Sequence, residues 1–152
     1  MSYLRVHSYD SGRIMAAANP GDVVSLAEVA TIINNAAAQT LSAAAITGQV
    51  ILRQGAGVVS DVTDTAVNII QACYGNTGSD LKIGDGFLCW YSNQGANTVT
   101  ITGGTGVTVS GNTAVPTLTC KQLLFVCTAP GTKTYAAGTF TNVGATFNCI
   151  VL

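Results

Sequence analysis

The sequence predicts a mainly β protein: an antiparallel, jelly-roll-like β-sandwich with one or two short helices in its N-terminal half. Three observations carry that expectation. After Gly84, short runs of strand-forming residues are cut by glycine-rich turns, the pattern of hairpin-connected strands. Two of those runs are apolar on both faces, which asks for a second layer on each side or for another subunit on the outer side. Of the 13 charged residues in the chain, only Lys121 and Lys133 fall in the 67 residues from Gly86 to Leu152.

A length of 152 residues points to one domain. Residues 1–19 read as an N-terminal arm and residues 20–152 as a single β-rich domain, helical and alanine-rich over 20–48 and a β-sandwich over 49–152. Ser25-Leu26-Ala27-Glu28 has the spacing of a capping box, and Leu26, Val29, Ala30 and Ile33 lie on one helical face, so a helix is expected over about Leu26–Asn34. Gly48 is the natural stop if that helix runs on through Ala45. A second helix is capped by Thr63 or Asp64, carries Ala66, Ile69, Ile70 and Cys73 on one face, and ends at Gly75-Asn76.

Val50–Val59 is expected as an early strand and Phe87–Ser92 as the next. Asn93-Gln94-Gly95-Ala96 connects the latter to Thr98–Thr102, a strictly alternating strand. Gly103-Gly104 and Ser110-Gly111-Asn112 turn the chain on either side of Val107–Val109. Cys120–Thr128 and Asn142–Leu152 complete the set. In these last two, Leu123, Phe125 and Cys127 oppose Leu124 and Val126, while Phe147, Cys149 and Val151 oppose Ile150 and Leu152.

Composition excludes several functions. Six basic and seven acidic residues give a net charge of −1, too little positive charge to neutralise a run of phosphates or to hold an anionic bilayer. Nucleic acid and membrane are therefore not expected partners. With 48% hydrophobic residues the chain is no disordered polymer. Its polarity is mostly uncharged, with 20 Thr, 10 Asn, 9 Ser and 6 Gln, residues that cover a surface without repelling a neighbour. The first ten residues lack the apolar stretch of a signal peptide, and no run of about 18 apolar residues occurs, so a soluble chain is expected.

The five cysteines, Cys73, Cys89, Cys120, Cys127 and Cys149, form no C-x-x-C pair and have no histidine nearby, which argues against zinc. Each sits in an apolar run and is expected as a buried free thiol, which suits folding in a reducing compartment.

The stretch Asp64–Val126 resembles a module of virion surface and fibre-head proteins of large double-stranded DNA viruses and some phages. The likeness lies in a short helix such as Thr65-Ala66-Val67-Asn68-Ile69-Ile70, a segment such as Ile83-Gly84-Asp85-Gly86-Phe87, a neutral strand ending in Asn, and a run such as Asn97–Gly111. It covers 63 of the 152 residues. The resemblance implies a compact β-sandwich, usually a homotrimer, that serves as a capsid or appendage component and not as an enzyme. The five cysteines and the alanine-rich N-terminal part are departures from that pattern.

Sharper readings have plainer rivals. Gly103-Gly104-Thr105-Gly106 lacks the lysine of a phosphate loop and reads as a turn. Cys89 or Cys127 with His7 would pair a nucleophile with a base, but both thiols lie in apolar strands, where burial keeps them protonated. Asp80 and Asp85 around Lys82 make too thin an oxygen cage for a cation. Thr98, Thr100 and Thr102 form a row of the kind an ice-binding face presents, though no solenoid repeat accompanies it in the sequence. Trp90 and Tyr91 are the candidates for ligand contact, with core packing as their rival.

The resulting expectation is a non-enzymatic virion structural protein: a minor capsid, decoration or spike component that needs no cofactor, metal or catalytic residue. It is located in the virion after assembly in the host cytoplasm. Its partners are sister subunits, as a homotrimer, and other capsid proteins. Leu123, Phe125, Phe147, Ile150 and Leu152 are the candidate subunit contacts, and Tyr3, Leu4, Val6 and Tyr9 the apolar anchors of an attachment arm. A receptor- or carbohydrate-binding head is the alternative, and an ice-binding protein a minor one.

Overall fold

The computed structural model describes residues 8–9, 13–14, 30–55, 57–77, 80–136 and 139–152. In chain order its elements are β1 (Ser8–Tyr9), β2 (Arg13–Ile14), β3 (Thr31–Ile33), β4 (Thr40–Leu41), α1 (Ala43–Thr47), β5 (Val50–Arg53), β6 (Val59–Thr63), α2 (Ala66–Thr77), β7 (Gly86–Asn93), β8 (Val99–Thr102), β9 (Val107–Gly111), β10 (Ala114–Val115), β11 (Thr119–Ala129), β12 (Thr132–Ala136), β13 (Thr139–Val143) and β14 (Thr146–Val151). The protein is mainly β, as its sequence predicts.

The pairing is mixed. A six-stranded sheet runs β3-β5-β7-β11-β14-β9 and a four-stranded sheet β10-β8-β6-β4, with β1-β2 and β12-β13 as separate two-stranded ribbons. Antiparallel ladders join β7 to β11, β11 to β14 and β8 to β10, but β3-β5, β5-β7, β4-β6, β6-β8 and β9-β14 are parallel. The expectation of antiparallel pairing throughout therefore fails for five ladders. The reason is visible in the chain path, which alternates between the sheets: β3, β5 and β7 enter the large one, and β4, β6 and β8 follow in the small one. A strand that returns to the same sheet in the same direction needs a long crossover. α1 and α2 supply two of these, between β4 and β5 and between β6 and β7.

The helices follow local rules, with shifted limits. Ser42 caps α1 by accepting from Ala45 N at 3.2 Å, and Gly48 ends it by donating to Ala44 O at 2.8 Å. In α2 the predicted face is the buried one, Ala66, Ile69, Ile70 and Cys73. Its cap lies one residue beyond those expected: Thr65 Oγ1 accepts from Asn68 N at 3.3 Å, while Asp64 Oδ1 takes Thr65 N and Asn68 Nδ2. Part of the helix expected at Leu26–Asn34 is instead β3; the rest lies outside the described residues except for Ala30 and Asn34, which are not helical. Thr31, Ile32 and Ile33 are β-branched and pair with Ile51–Arg53, so tertiary pairing overrides the helical spacing.

Two expected strands are each split in two. Val50–Val59 breaks between β5 and β6 at a loop containing Gly55, and Asn142–Leu152 breaks at Gly144 between β13 and β14. Gly103 is a required glycine, because a Cβ there would lie 2.0 Å from Val107 O. Gly111, with φ +85°, would place one 2.4 Å from Val151 O.

One buried cluster joins the two large sheets and both helices. It includes Leu41, Ile46, Ile51, Ile69, Cys89, Tyr91, Val99, Ile101, Val115, Leu123, Phe125, Phe147, Cys149 and Val151. Phe87 stacks on Phe125 at 5.2 Å and meets Phe147 edge-on at 6.4 Å.

Candidate interaction surface

The inner faces meet at a polar centre that the sequence did not disclose as a unit. Arg53 and Asp61 occupy inward positions on β5 and β6 and are fully buried. Arg53 Nε donates to Asp61 Oδ2 at 2.8 Å, Nη1 to Asn35 O and Nη2 to Ala37 O at 2.6 Å. The other side of Asp61 receives Gln39 N at 2.9 Å on Oδ1, and Tyr91 Oη donates to Oδ2 at 2.7 Å. Burial, reinforced by the bond to Asp61, raises the Tyr91 hydroxyl well above its ordinary range. Next along β7, Asn93 Nδ2 donates to Asn97 O, Val115 O and Pro116 O, and its Oδ1 accepts from Gly95 N. These groups are partnered and sealed from solvent; their role is to tie both sheets to the loops at one end. The available signal was one arginine and one aspartate at inward alternation positions of apolar strands.

The outer face of the six-stranded sheet is the opposite case. Register places Val50, Trp90 and Gln122 in one row, with Leu152 N donating to Gln122 O at 3.0 Å. A second row holds Leu88, Leu124 and Ile150, and a third Ile32, Leu52, Ser92 and Cys120. Ile32, Leu88, Trp90 and Leu152 are 55%, 41%, 44% and 56% exposed, and Val50, Leu52, Leu124 and Ile150 are half-buried. No charged residue stands in these rows. The outer face of the four-stranded sheet is likewise uncharged, with rows Thr40-Val62-Thr102 and Ser60-Thr100-Ala114 across it. Of the expected threonine row, β8 holds Thr100 and Thr102, flanked by Ser60, Ala114 and Val62, while Thr98 precedes the strand.

The candidate contacts therefore divide. Leu123, Phe125 and Phe147 are 0%, 0% and 1% exposed and belong to the subunit's own core; only Ile150 and Leu152 face outward. Of the ligand-contact pair, Tyr91 is buried and Trp90 stands on the open face. Tyr3, Leu4, Val6 and His7 lie outside the described residues, and Tyr9 is described as backbone alone, where β1 pairs with β2.

All five cysteines are free, four of them buried and Cys120 exposed on the outer face. Burial raises every thiol, and pushes Cys73, Cys89 and Cys149 up to about 12. Asp80 and Asp85 do not converge on a site: Asp80 pairs with Lys133, and Asp85 Oδ2 accepts from Lys82 N at 2.8 Å. Among the described residues no group of three or more His, Cys, Asp or Glu is arranged to hold a metal ion, and no helix is long and apolar enough to cross a membrane.

These features define a mainly β chain with mixed sheets and one broad uncharged apolar face. Compared with known protein families, curated proteins and solved structures, the chain matches none.

Proposed function

We propose that the chain is a non-enzymatic structural component of a virus particle, a minor capsid, decoration or spike protein, that works by self-association as a homotrimer and by attachment to capsid neighbours. The observation that carries the assembly reading is the outer face of the six-stranded sheet. Burying apolar surface contributes about 25 cal/mol per Å², and here no charged side chain has to be desolvated against it. A lone subunit would keep Trp90, Leu88, Ile32 and Leu152 in water, the kind of patch that marks an interaction site. The virion setting and the number three rest on the resemblance of Asp64–Val126, and five free thiols suit assembly in the host cytoplasm.

The native mass of the purified protein tests this. A multimer that Trp90→Arg dissociates without loss of β-structure is expected; a monomeric parent overturns the assembly reading. Residues 1–19 serve as the attachment arm, so deletion of residues 1–15 leaves the oligomer intact and abolishes binding to particles; retained binding removes the arm.

A receptor- or carbohydrate-binding head is the second reading, favoured by the half-exposed indole of Trp90. Hits on a glycan array that Trp90→Ala removes would establish it. Thr100 and Thr102 on the outer face of β8 keep ice binding as a minor third, which the absence of thermal hysteresis would end.

A further inference from the structure

We infer that sister copies cover the loop end of the subunit together with the adjoining outer sheet face, and that the end built from α2 and the β12-β13 hairpin stays in water. This rests on the assembly reading above and adds to it an orientation.

The loops β3-β4, β5-β6, β7-β8 and β10-β11 emerge at the same end, because their strands run in register across the two sheets. α2, residues 80–85 and the hairpin lie at the other. Among the residues whose side chains are described, surface charge follows this division. Asp64, Asp80, Lys82, Asp85 and Lys133 all belong to the helix end, and Lys121 alone to the loop end. At the helix end Lys133 pairs with Asp80 and lies 4.2 Å from the centre of the Tyr74 ring, so its charge has partners within the subunit.

Apolar side chains stand exposed at both ends, Ile83, Tyr135 and Val143 at the helix end and Val58 and Leu118 at the loop end, so charge is what separates the two. Val58 is 84% and Leu118 82% exposed. Leu118 holds φ +55°, a left-handed conformation that leucine seldom adopts. Its turn is braced on both sides: Thr117 Oγ1 donates to Gly95 O and Thr119 Oγ1 to Pro116 O at 2.7 Å, while Asn93 gathers Val115 O and Pro116 O. Gln54 Nε2 donates to Gln94 Oε1 at 3.2 Å and ties two more of the loops together. The occupant is a second copy of this chain, on grounds of charge. Residues close to the axis of a symmetric oligomer meet their own copies, and like charges brought together there cost several kcal/mol. An almost uncharged end meets itself without that repulsion, whereas the helix end would have to strip water from five charges.

The chain has three lysines, Lys82, Lys121 and Lys133, and they report the orientation directly. Amine acylation is followed residue by residue on the intact oligomer and on subunits dissociated by Trp90→Arg. With nine-tenths of the chain assembled, Lys121 is expected to react about tenfold more slowly in the oligomer, since labelling tracks the open population. Lys82 and Lys133 should react at equal rates in both. A verified oligomer in which Lys121 is unprotected, or in which Lys82 and Lys133 are protected, overturns the orientation and leaves the assembly reading standing. A monomeric native mass removes both. Leu118→Asp is an independent check: it should lower the native mass while leaving the circular dichroism of the subunit unchanged, and an unchanged mass counts against the loop end as contact.

Discussion

The Tyr91 hydroxyl, carried by the six-stranded sheet, donates a 2.7 Å hydrogen bond to the carboxylate of Asp61 in the four-stranded sheet, inside a centre closed to solvent. Asp61 also pairs with Arg53, so a single carboxylate joins residues of the two sheets. Removing one partner of a buried pair costs about 3–5 kcal/mol, because the other charge is left uncompensated. Asp61→Asn should lose that much in urea unfolding. Tyr91→Phe should lose about 1.5–3 kcal/mol, the range for a hydrogen bond to a charged group. Parent-like midpoints in both variants would show that the sheets are held together by apolar packing alone.

Neighbouring leucines of β11 should behave in opposite ways. Leu124 looks outward and Leu123 is fully buried. Leu124→Asp should dissociate the oligomer while keeping the far-ultraviolet spectrum. Leu123→Asp places a charge in the core and should prevent folding. Size-exclusion chromatography and circular dichroism, read together, separate the two effects, and equal behaviour of the variants would remove the assignment of faces.

Cys120 is the exposed thiol, whereas Cys73, Cys89, Cys127 and Cys149 are buried. Dissociated native subunits should therefore take up one maleimide each by intact mass, at Cys120. In the oligomer even that one should be slow, because Cys120 stands beside Ser92 on the apolar face. Uptake of several labels by native protein would contradict the burial of the thiols.

Stability should fall on the alkaline side. Burial raises Cys73, Cys89 and Cys149 from about 9 to about 12, so the folded state keeps protons that the unfolded state releases. Their contribution is intact below pH 9 and declines from there towards pH 12, at about 1.4 kcal/mol per pH unit for each thiol. Cys89→Ala should flatten the decline by one such increment, whatever it costs at neutral pH. Urea midpoints collected from pH 8 to pH 11 measure the slope, and a flat profile would refute the cause.

Much of this was legible in the sequence, and the exceptions are instructive. The face of α2, the turn at Gly103-Gly104 and the strands around Trp90 and Phe125 could be read because each depends on residues a few positions apart. β3 could not, because Ile33 suits a helical face as well as a strand and only pairing with Arg53 decides between them. The candidate interaction surface was half legible. Alternation separates Leu123 from Leu124 but does not say which of them points inward. The Arg53-Asp61-Tyr91 centre was out of reach, since its members are joined across sheets and not along the chain.

By itself, the sequence determined that this protein is mainly β, where its chain turns, which residues share a strand face, and that its C-terminal half is almost free of charge. All of these are local or additive properties of the chain. Only the tertiary structure decided strand direction, the order of strands in each sheet, and which of two apolar faces becomes the core. Alternation is satisfied equally by parallel and antiparallel neighbours and by either face turned inward; the choice is made by crossovers such as α2 and by partners such as Asp61, whose energies exist only once distant segments have met.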